Sequence, residues 1–216
     1  EIKVIPNFID LKRFKLTPKG HFKKAIAPLG ERIIVHTSNF RKVKRVEDVI
    51  KVFFEVRKVI PAKLLLVGDG PERDRMERLC RTLGTCEDIR FLGKLEAVEE
   101  VLSVADLFLM PSEKESFGLA ALEAMACEVP VISSNVGGLP EINLHGETGY
   151  LSEVGDVDDM ARNTIALLSD PAKLEQFRKN AYAQAQKFAL ANILPMYENY
   201  YERIIEQVKA EALAKV

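Results

Sequence analysis

Glu115 and Glu123 stand with seven residues between them in the stretch SEKESFGLAALEAMA (112–126). The run that separates them is small and apolar, and Ala120, Ala121, Leu122, Ala124, Met125 and Ala126 predict a largely buried helix. A carboxylate inside such a helix is costly unless hydrogen-bond donors meet it. Sugar hydroxyls would serve for Glu123; the alternative is a pair of solvated charges on an ordinary helix. Ser116 is the expected N-cap, and Gly118 is a point where a ligand could come close to the first-turn N–H groups.

Two further loops carry residue types suited to phosphate or sugar. In TSNFRKVKR, Arg41, Lys42, Lys44 and Arg45 fall just before a predicted helix. Their charge opposes the helix dipole, and a bound polyanion would relieve the conflict; a solvated basic turn is the other reading. VGDGPER (67–73) is a glycine-rich turn, but its spacing matches neither the phosphate-loop nor the dinucleotide pattern. SNVGGLPE (134–141) is expected to offer backbone N–H groups to a ligand. His21, His36 and His145 are far apart and lack ligand spacing, so packing or surface roles are expected and no metal site.

The elements that must position these residues follow from periodicity. RIIVHT (32–37), KLLLVG (63–68), IRFLG (89–93), DLFLM (106–110) and VPVISS (129–134) have strand length and continuous apolar character. Helical patterns cover 46–60, 71–84, 96–105 and 117–126, and from about residue 155 the pattern is helical only, over 156–169, 171–187 and 193–212. The opening IKVIPNFID reads as a short strand entering a turn. Alternation of this kind predicts an α/β fold, a Rossmann-like parallel sheet with helices on both faces, whose ligands bind beyond the carboxyl ends of the strands.

Bulk properties narrow the class. The chain has 216 residues, 47% hydrophobic and 29% charged, with formal net charge −1. That balance gives no whole-protein attraction to nucleic acid or anionic membrane. No apolar run approaches the ~20 residues of a membrane span, and the charged, proline-containing start is no signal peptide. Cys80, Cys86 and Cys127 show no C-x-x-C spacing, which predicts reduced structural thiols and a cytoplasmic protein. A start without methionine suggests the interior of a longer protein. The expected division is 1–190 as a nucleotide-sugar-binding domain and 191–216 as a C-terminal helix directed at an absent N-terminal domain, with packing on this domain as the alternative.

Glu115 and Glu123 in E-x7-E, with IPNFID (5–10), VGDGPE (67–72) and GGLPE (137–141), resemble the group 1 retaining glycosyltransferases of the GT-B fold. The likeness covers roughly residues 4–210 and corresponds to the C-terminal, donor-binding half. Within that family SNFRKVKRVEDVIKVF, AKLLLVGDGPE and SEKESFGL are most similar to members that move N-acetylglucosamine from UDP to L-malate. Three features depart from the common pattern: Glu128 stands in place of glycine, Pro111 in place of an apolar residue, and the 72–90 region is not distinctive; Asn39 also stands where the commoner pattern has arginine.

The resemblance implies a UDP-sugar donor, a small-molecule acceptor such as L-malate, retention of configuration, and no cofactor or metal. A polysaccharide or lipid acceptor, or a non-catalytic nucleotide- or sugar-phosphate-binding module, are the alternatives. It implies an N-terminal acceptor domain as partner, without which this half is inactive, and is compatible with a homo-oligomer. By motif, Lys44 and Glu115 are the catalytic pair, Lys44 on the diphosphate with Asn39 and Arg41 beside it, Glu115 on the transferred sugar. Ser116, Phe117, Gly118 and Leu119 would offer backbone N–H groups, Glu123 would take the ribose hydroxyls, and Gly93, Lys94 and Leu95 would meet the uracil.

Overall fold

Four of the five continuously apolar runs are strands buried on both faces, whose alternate residues enter different cores, while IRFLG is a partly exposed strand at the sheet edge. A computed structural model describes residues 2–18 and 20–213, with side chains of the last helix described to 210. Six strands, β1 (Arg32–Thr37), β2 (Ala62–Val67), β3 (Ile89–Gly93), β4 (Leu107–Met110), β5 (Val131–Ser134) and β6 (Gly149–Ser152), form one sheet in the order β3-β2-β1-β4-β5-β6. Every pairing is parallel, and β1 and β2 run in register from Arg32↔Ala62 to Thr37↔Val67. The predicted Rossmann-like α/β sheet is therefore present, with its order reversing between β1 and β4. At such a reversal the loops after two neighbouring strands splay apart and leave a crevice.

Ile33, Val35, Leu65, Val67, Phe108 and Met110 enter one core, shared with α4 (Val98–Leu102), α5 (Leu119–Ala126) and α8 (Pro171–Lys187). Ile34, Leu64, Leu66, Leu107 and Leu109 enter the other, shared with α2 (Val46–Arg57), α3 (Arg73–Thr82) and α7 (Val157–Leu168). Three elements are additions to the sequence expectation: α1 (Gly20–Ile26), the single turn α6 (Leu139–Ile142) and β6. β6 is only four residues long, too short for its alternation to register.

Two expectations fail. The opening segment forms no strand; Ile9 makes one isolated bridge to Ala189, with Ile9 N–H donating to Phe188 O and Leu190 N–H to Ile9 O. Nor are the thiols all free: Cys80 and Cys86 form a disulfide, and Cys127 alone stays a buried thiol. The bonded pair stands six positions apart in the chain. The chain reverses between them at Gly84, in the left-handed region at φ 66°, which brings the Cα atoms to 5.0 Å. That closure comes from the turn, which a spacing rule for ligand cysteines does not register.

The last helix, α9 (Leu190–Leu213), leaves Leu194, Tyr201, Ile204, Ile205 and Val208 exposed. Residues 214–216 of the C-terminal segment predicted over 191–216 lie outside the described residues. No helix among the described residues is long and apolar enough to cross a membrane.

Glu128, the departure from glycine, has a structural meaning. Helix α5 ends with Val129 N–H donating to Ala124 O and Glu128 N–H to Met125 O, both at 3.0 Å. That is the double closure of a helix terminus whose next residue must be left-handed, and Glu128 sits there at φ 60°. A side chain at that φ strains against its own backbone. Glu128→Gly is expected to raise the unfolding free energy by about 1 kcal/mol, read from urea denaturation; an unchanged or lowered value would show that the glutamate side chain compensates.

Candidate functional site

The loops after β1 and β4 meet at the reversal of strand order. The first is held from below by His36, which is fully buried. Its Nδ1 lies 2.8 Å from Leu109 O and its Nε2 2.8 Å from Ser38 Oγ. A carbonyl can only accept, so Nδ1 carries the proton and Nε2 accepts from the Ser38 hydroxyl. Ser38 Oγ in turn accepts from Phe40 N–H at 3.2 Å. Burial pushes the His36 pKa down to about 4, which keeps this chain of bonds in its neutral form. The histidine is a post under the loop, in keeping with a packing role.

Beyond Phe40 a short 3-10 turn over Lys42–Lys44 leads into α2. The dipole conflict expected of its four cations is answered within the chain. Glu47 and Asp48 occupy the first turn of α2, and Arg45 Nε meets Asp48 Oδ2 at 2.5 Å. Lys44 turns away, and its Nζ lies 2.6 Å from Glu115 Oε2 across the crevice. The side chains are only 21% and 13% exposed, so the contact is shielded well beyond an ordinary surface pair. Arg41 and Lys42 remain exposed on the turn.

The glycine-rich turns serve backbone contact. A Cβ on Gly68 would fall 1.7 Å from Ser38 O, and one on Gly137 would fall 1.7 Å from Glu115 O. The Gly137 backbone packs on the Glu115 backbone, and Gly138 N–H donates to Glu115 O at 3.3 Å. Glu113 N–H donates to Val43 O at 2.8 Å, tying the fourth loop to the first. A Cβ on Gly118 would meet Leu139 Cδ2 at 2.7 Å, so the side on which a side chain would stand is filled by α6. Gly118, in the left-handed region at φ 97°, is itself the N-cap of α5, and Ser116 is not. The first bond closing the helix runs from Leu122 N–H to Gly118 O. The N–H groups of Gly118 and Leu119 precede it at the start of the helix and have no partner inside it.

Lys44, Glu115 and Ser116, with Glu113, Lys114, Val136 and Gly137, line one open cavity of about 490 Å³. Four of these were not singled out from the sequence as site residues: Glu113, Lys114, Val136 and Gly137. Asn39 and Arg41 are exposed and outside this cavity, while the Asn39 carbonyl is packed against Gly70. Gly93 ends β3 at φ 69°, with its carbonyl accepting from Gly68 N–H at 2.7 Å, and Lys94 and Leu95 are exposed beyond it. A larger cavity of about 670 Å³ opens at the amino edge of the sheet, lined by Lys23, Arg32 and Asp106. It adjoins a salt hub in which Asp106 takes Ile33 N–H, Lys23 and Arg178, and none of the predicted site residues reaches it.

Glu123 lies on the α4 side of α5, partly buried. Its carboxylate accepts no hydrogen bond among the described residues. Burial raises its pKa from 4.5 to about 7, partly offset by Arg13 and reinforced by Glu99. The donor hydroxyls that the sequence called for are not supplied by the chain itself.

A family model described as "Glycosyl transferases group 1" matches residues 19–184. The N-acetyl-alpha-D-glucosaminyl L-malate synthase of Bacillus anthracis is 42% identical over 97% of this chain and 55% of its own length. An uncharacterized glycosyltransferase of Methanocaldococcus jannaschii is 31% identical over 96% of this chain and 55% of its own. Among solved structures, sucrose-phosphate synthase from Thermosynechococcus elongatus superposes with TM-score 0.84 at 29% identity, over 95% of this chain and 53% of that one. Anabaena HepE in complex with UDP-glucose gives TM-score 0.86 at 25% identity, over 93% and 57%. The chain spans little more than half the length of these relatives.

The raised pKa of Glu123 makes stability depend on pH. Between 4.5 and about 7 the folded protein holds a proton that the unfolded chain has released, so stability falls as pH rises through that window. Glu123→Gln removes the loss. The variant is expected to be close to wild type at pH 5 and more stable at pH 8, by on the order of 2 kcal/mol. Urea unfolding at both values checks this, and a pH-independent difference would contradict it.

Proposed function

The chain belongs to the group 1 glycosyltransferases, and from that membership we propose that it is the donor-binding domain of an enzyme transferring N-acetylglucosamine from a UDP-sugar to a small acceptor such as L-malate. The observation that carries this reading is the Lys44–Glu115 pair, closed across the crevice at 2.6 Å beside the start of α5. Each partner has a second role once a donor enters. Lys44 swings onto the diphosphate, and the released Glu115 carboxylate takes hydroxyls of the transferred sugar. The likeness to the malate synthase supports the choice of sugar and acceptor.

Departure of UDP gathers negative charge on the β-phosphate oxygens while the sugar becomes cation-like. Lys44 and the N–H groups of Ser116, Phe117, Gly118 and Leu119 are preorganised donors for that charge, each worth about 3 kcal/mol when well placed. Glu123 takes the ribose hydroxyls, and Gly93, Lys94 and Leu95 receive the base. Asn39 and Arg41, exposed on the turn, reach the diphosphate from its outer side. This scheme assigns no metal or cofactor, since the positive field comes from the chain, and it has the anomeric configuration retained by attack on the face that UDP leaves. The exposed apolar side chains of α9 are the surface we assign to an acceptor domain, in line with relatives almost twice as long as this chain.

Titration calorimetry is expected to show UDP binding that Lys44→Ala weakens on the order of 10- to 100-fold. Unaltered affinity would remove the diphosphate assignment. Glu123→Ala is expected to weaken UDP while leaving inorganic pyrophosphate unaffected; equal losses for both ligands would argue against a ribose contact.

A further inference from the structure

Residues 9–17 form a strap over the end of the sheet where β3 and α4 lie, and of its three exposed cations, Lys12, Arg13 and Lys15, Arg13 is the one whose side chain is bonded to the loop after β3 and to α4. Arg13 Nη2 donates to Glu96 O at 2.6 Å and Arg13 Nε to Glu99 Oε2 at 3.3 Å. The guanidinium lies 5.0 Å from the centre of the Phe14 ring, which is buried in the core. The strap is anchored on both sides of this contact. Ile9 is bonded to Phe188 and Leu190, while Thr17 N–H donates to Ser103 Oγ at 3.2 Å and Ser103 Oγ to Lys15 O at 3.3 Å.

Glu96 belongs to the loop that leaves β3 through Gly93, Lys94 and Leu95. Glu99 is on α4 and faces Glu123 of α5. The charged groups that bear on Glu123 are therefore Arg13 from the strap and Glu99 from α4, with the Cys127 thiol, pushed up to about 12 by burial, one turn along its own helix. Arg13 is the single cation of this set. Without it two carboxylates face each other in a partly dry site with no donor between them.

We propose that Arg13 is a positioning residue for the donor nucleoside, clamping the loop after β3 by the Glu96 carbonyl and setting a positive charge opposite Glu123. This rests on the donor reading above. An exposed salt bridge would contribute little by itself, and the Arg13 side chain is 51% exposed. The difference here is geometric: one planar group joins a loop carbonyl and a helix carboxylate while stacked on a buried ring, and its charge bears on Glu123. Arg13 thus works against the rise that burial imposes on the Glu123 carboxyl and holds the base-facing loop in place.

The test compares wild type, Arg13→Gln and Arg13→Lys in the intact protein. Carboxyl NMR follows the Glu123 titration without nucleotide, and calorimetry follows UDP affinity between pH 5.5 and 8.5. Arg13→Gln is expected to raise the Glu123 midpoint by about one pH unit and to weaken UDP about fivefold at pH 7. Arg13→Lys is expected to restore the midpoint without restoring the affinity, because an ammonium keeps the charge and loses the forked contact. Normal UDP binding by wild type, with an unmoved Glu123 midpoint in Arg13→Gln, would overturn the proposal alone. Loss of affinity that only tracks a lowered melting temperature would overturn it as well. Wild type that fails to bind UDP would overturn the donor reading and this proposal with it.

Discussion

The mouth of the sheet is set by two places where backbone lies directly on backbone. Gly68 rests on the Ser38 carbonyl, and Gly137 rests on the carbonyl of Glu115. A single methyl group at either position would occupy the space of an oxygen atom, so neither loop could keep its course if the facing residue had a side chain. Through these contacts the turn after β2 braces the loop after β1, and the turn after β5 braces the loop after β4. The braced loops are the two that carry Lys44 and Glu115. The placing of Lys44 and Glu115 is thus inherited from glycine positions packed on neighbouring backbone.

The same packing separates two carboxylates of identical chemistry. Glu115 meets Lys44 at short range and enters the crevice as half of an ion pair. Glu123, eight positions on and inside α5, is buried without a donor, and its pKa rises accordingly. In the proposed function the first is a charge held by a cation that is exchanged for substrate, and the second an acceptor for hydroxyls the ligand brings. Burial of an unsatisfied carboxylate works against stability, and a protein that tolerates it at the carboxyl edge of an α/β sheet does so where ligands bind. The His36–Ser38–Phe40 chain shows the opposite solution, a buried polar group completely satisfied and serving only to hold a loop.

Much of the architecture was legible because burial on both sheet faces writes continuous apolar runs into the strands, and because helices repeat at three and four. The elements that escaped notice were short. β6 and α6 are too brief for any period to show, and α1 lies in a stretch where Gly20, Pro18 and Pro28 obscure the pattern. Glu128 was visible as an odd residue, but its cause was not: only the backbone of the α5 terminus reveals the left-handed site that glycine would fill. Ser116 looked like a cap by type, and lost that role because Gly118 starts the helix two residues later in a conformation that a serine rarely adopts. The disulfide was missed because closure depends on a turn at Gly84, and no cysteine spacing rule encodes turns.

Composition and period along the chain carry the sheet class and the order of the site loops, since each depends on residues close along the chain. The same stretches mark Lys44, Glu115 and Glu123 as candidates by residue type and place, while the roles proposed for them come from the resemblance to a family. Tertiary structure alone decided how they are used. Lys44 and Glu115 are 71 positions apart, and Arg13 lies 86 positions from Glu99; their meeting depends on the strand order reversing between β1 and β4 and on the strap crossing α4. Neighbour relations of that range leave no periodic mark in a single chain, and the raised pKa of Glu123 follows from them because desolvation is a property of what packs around a group.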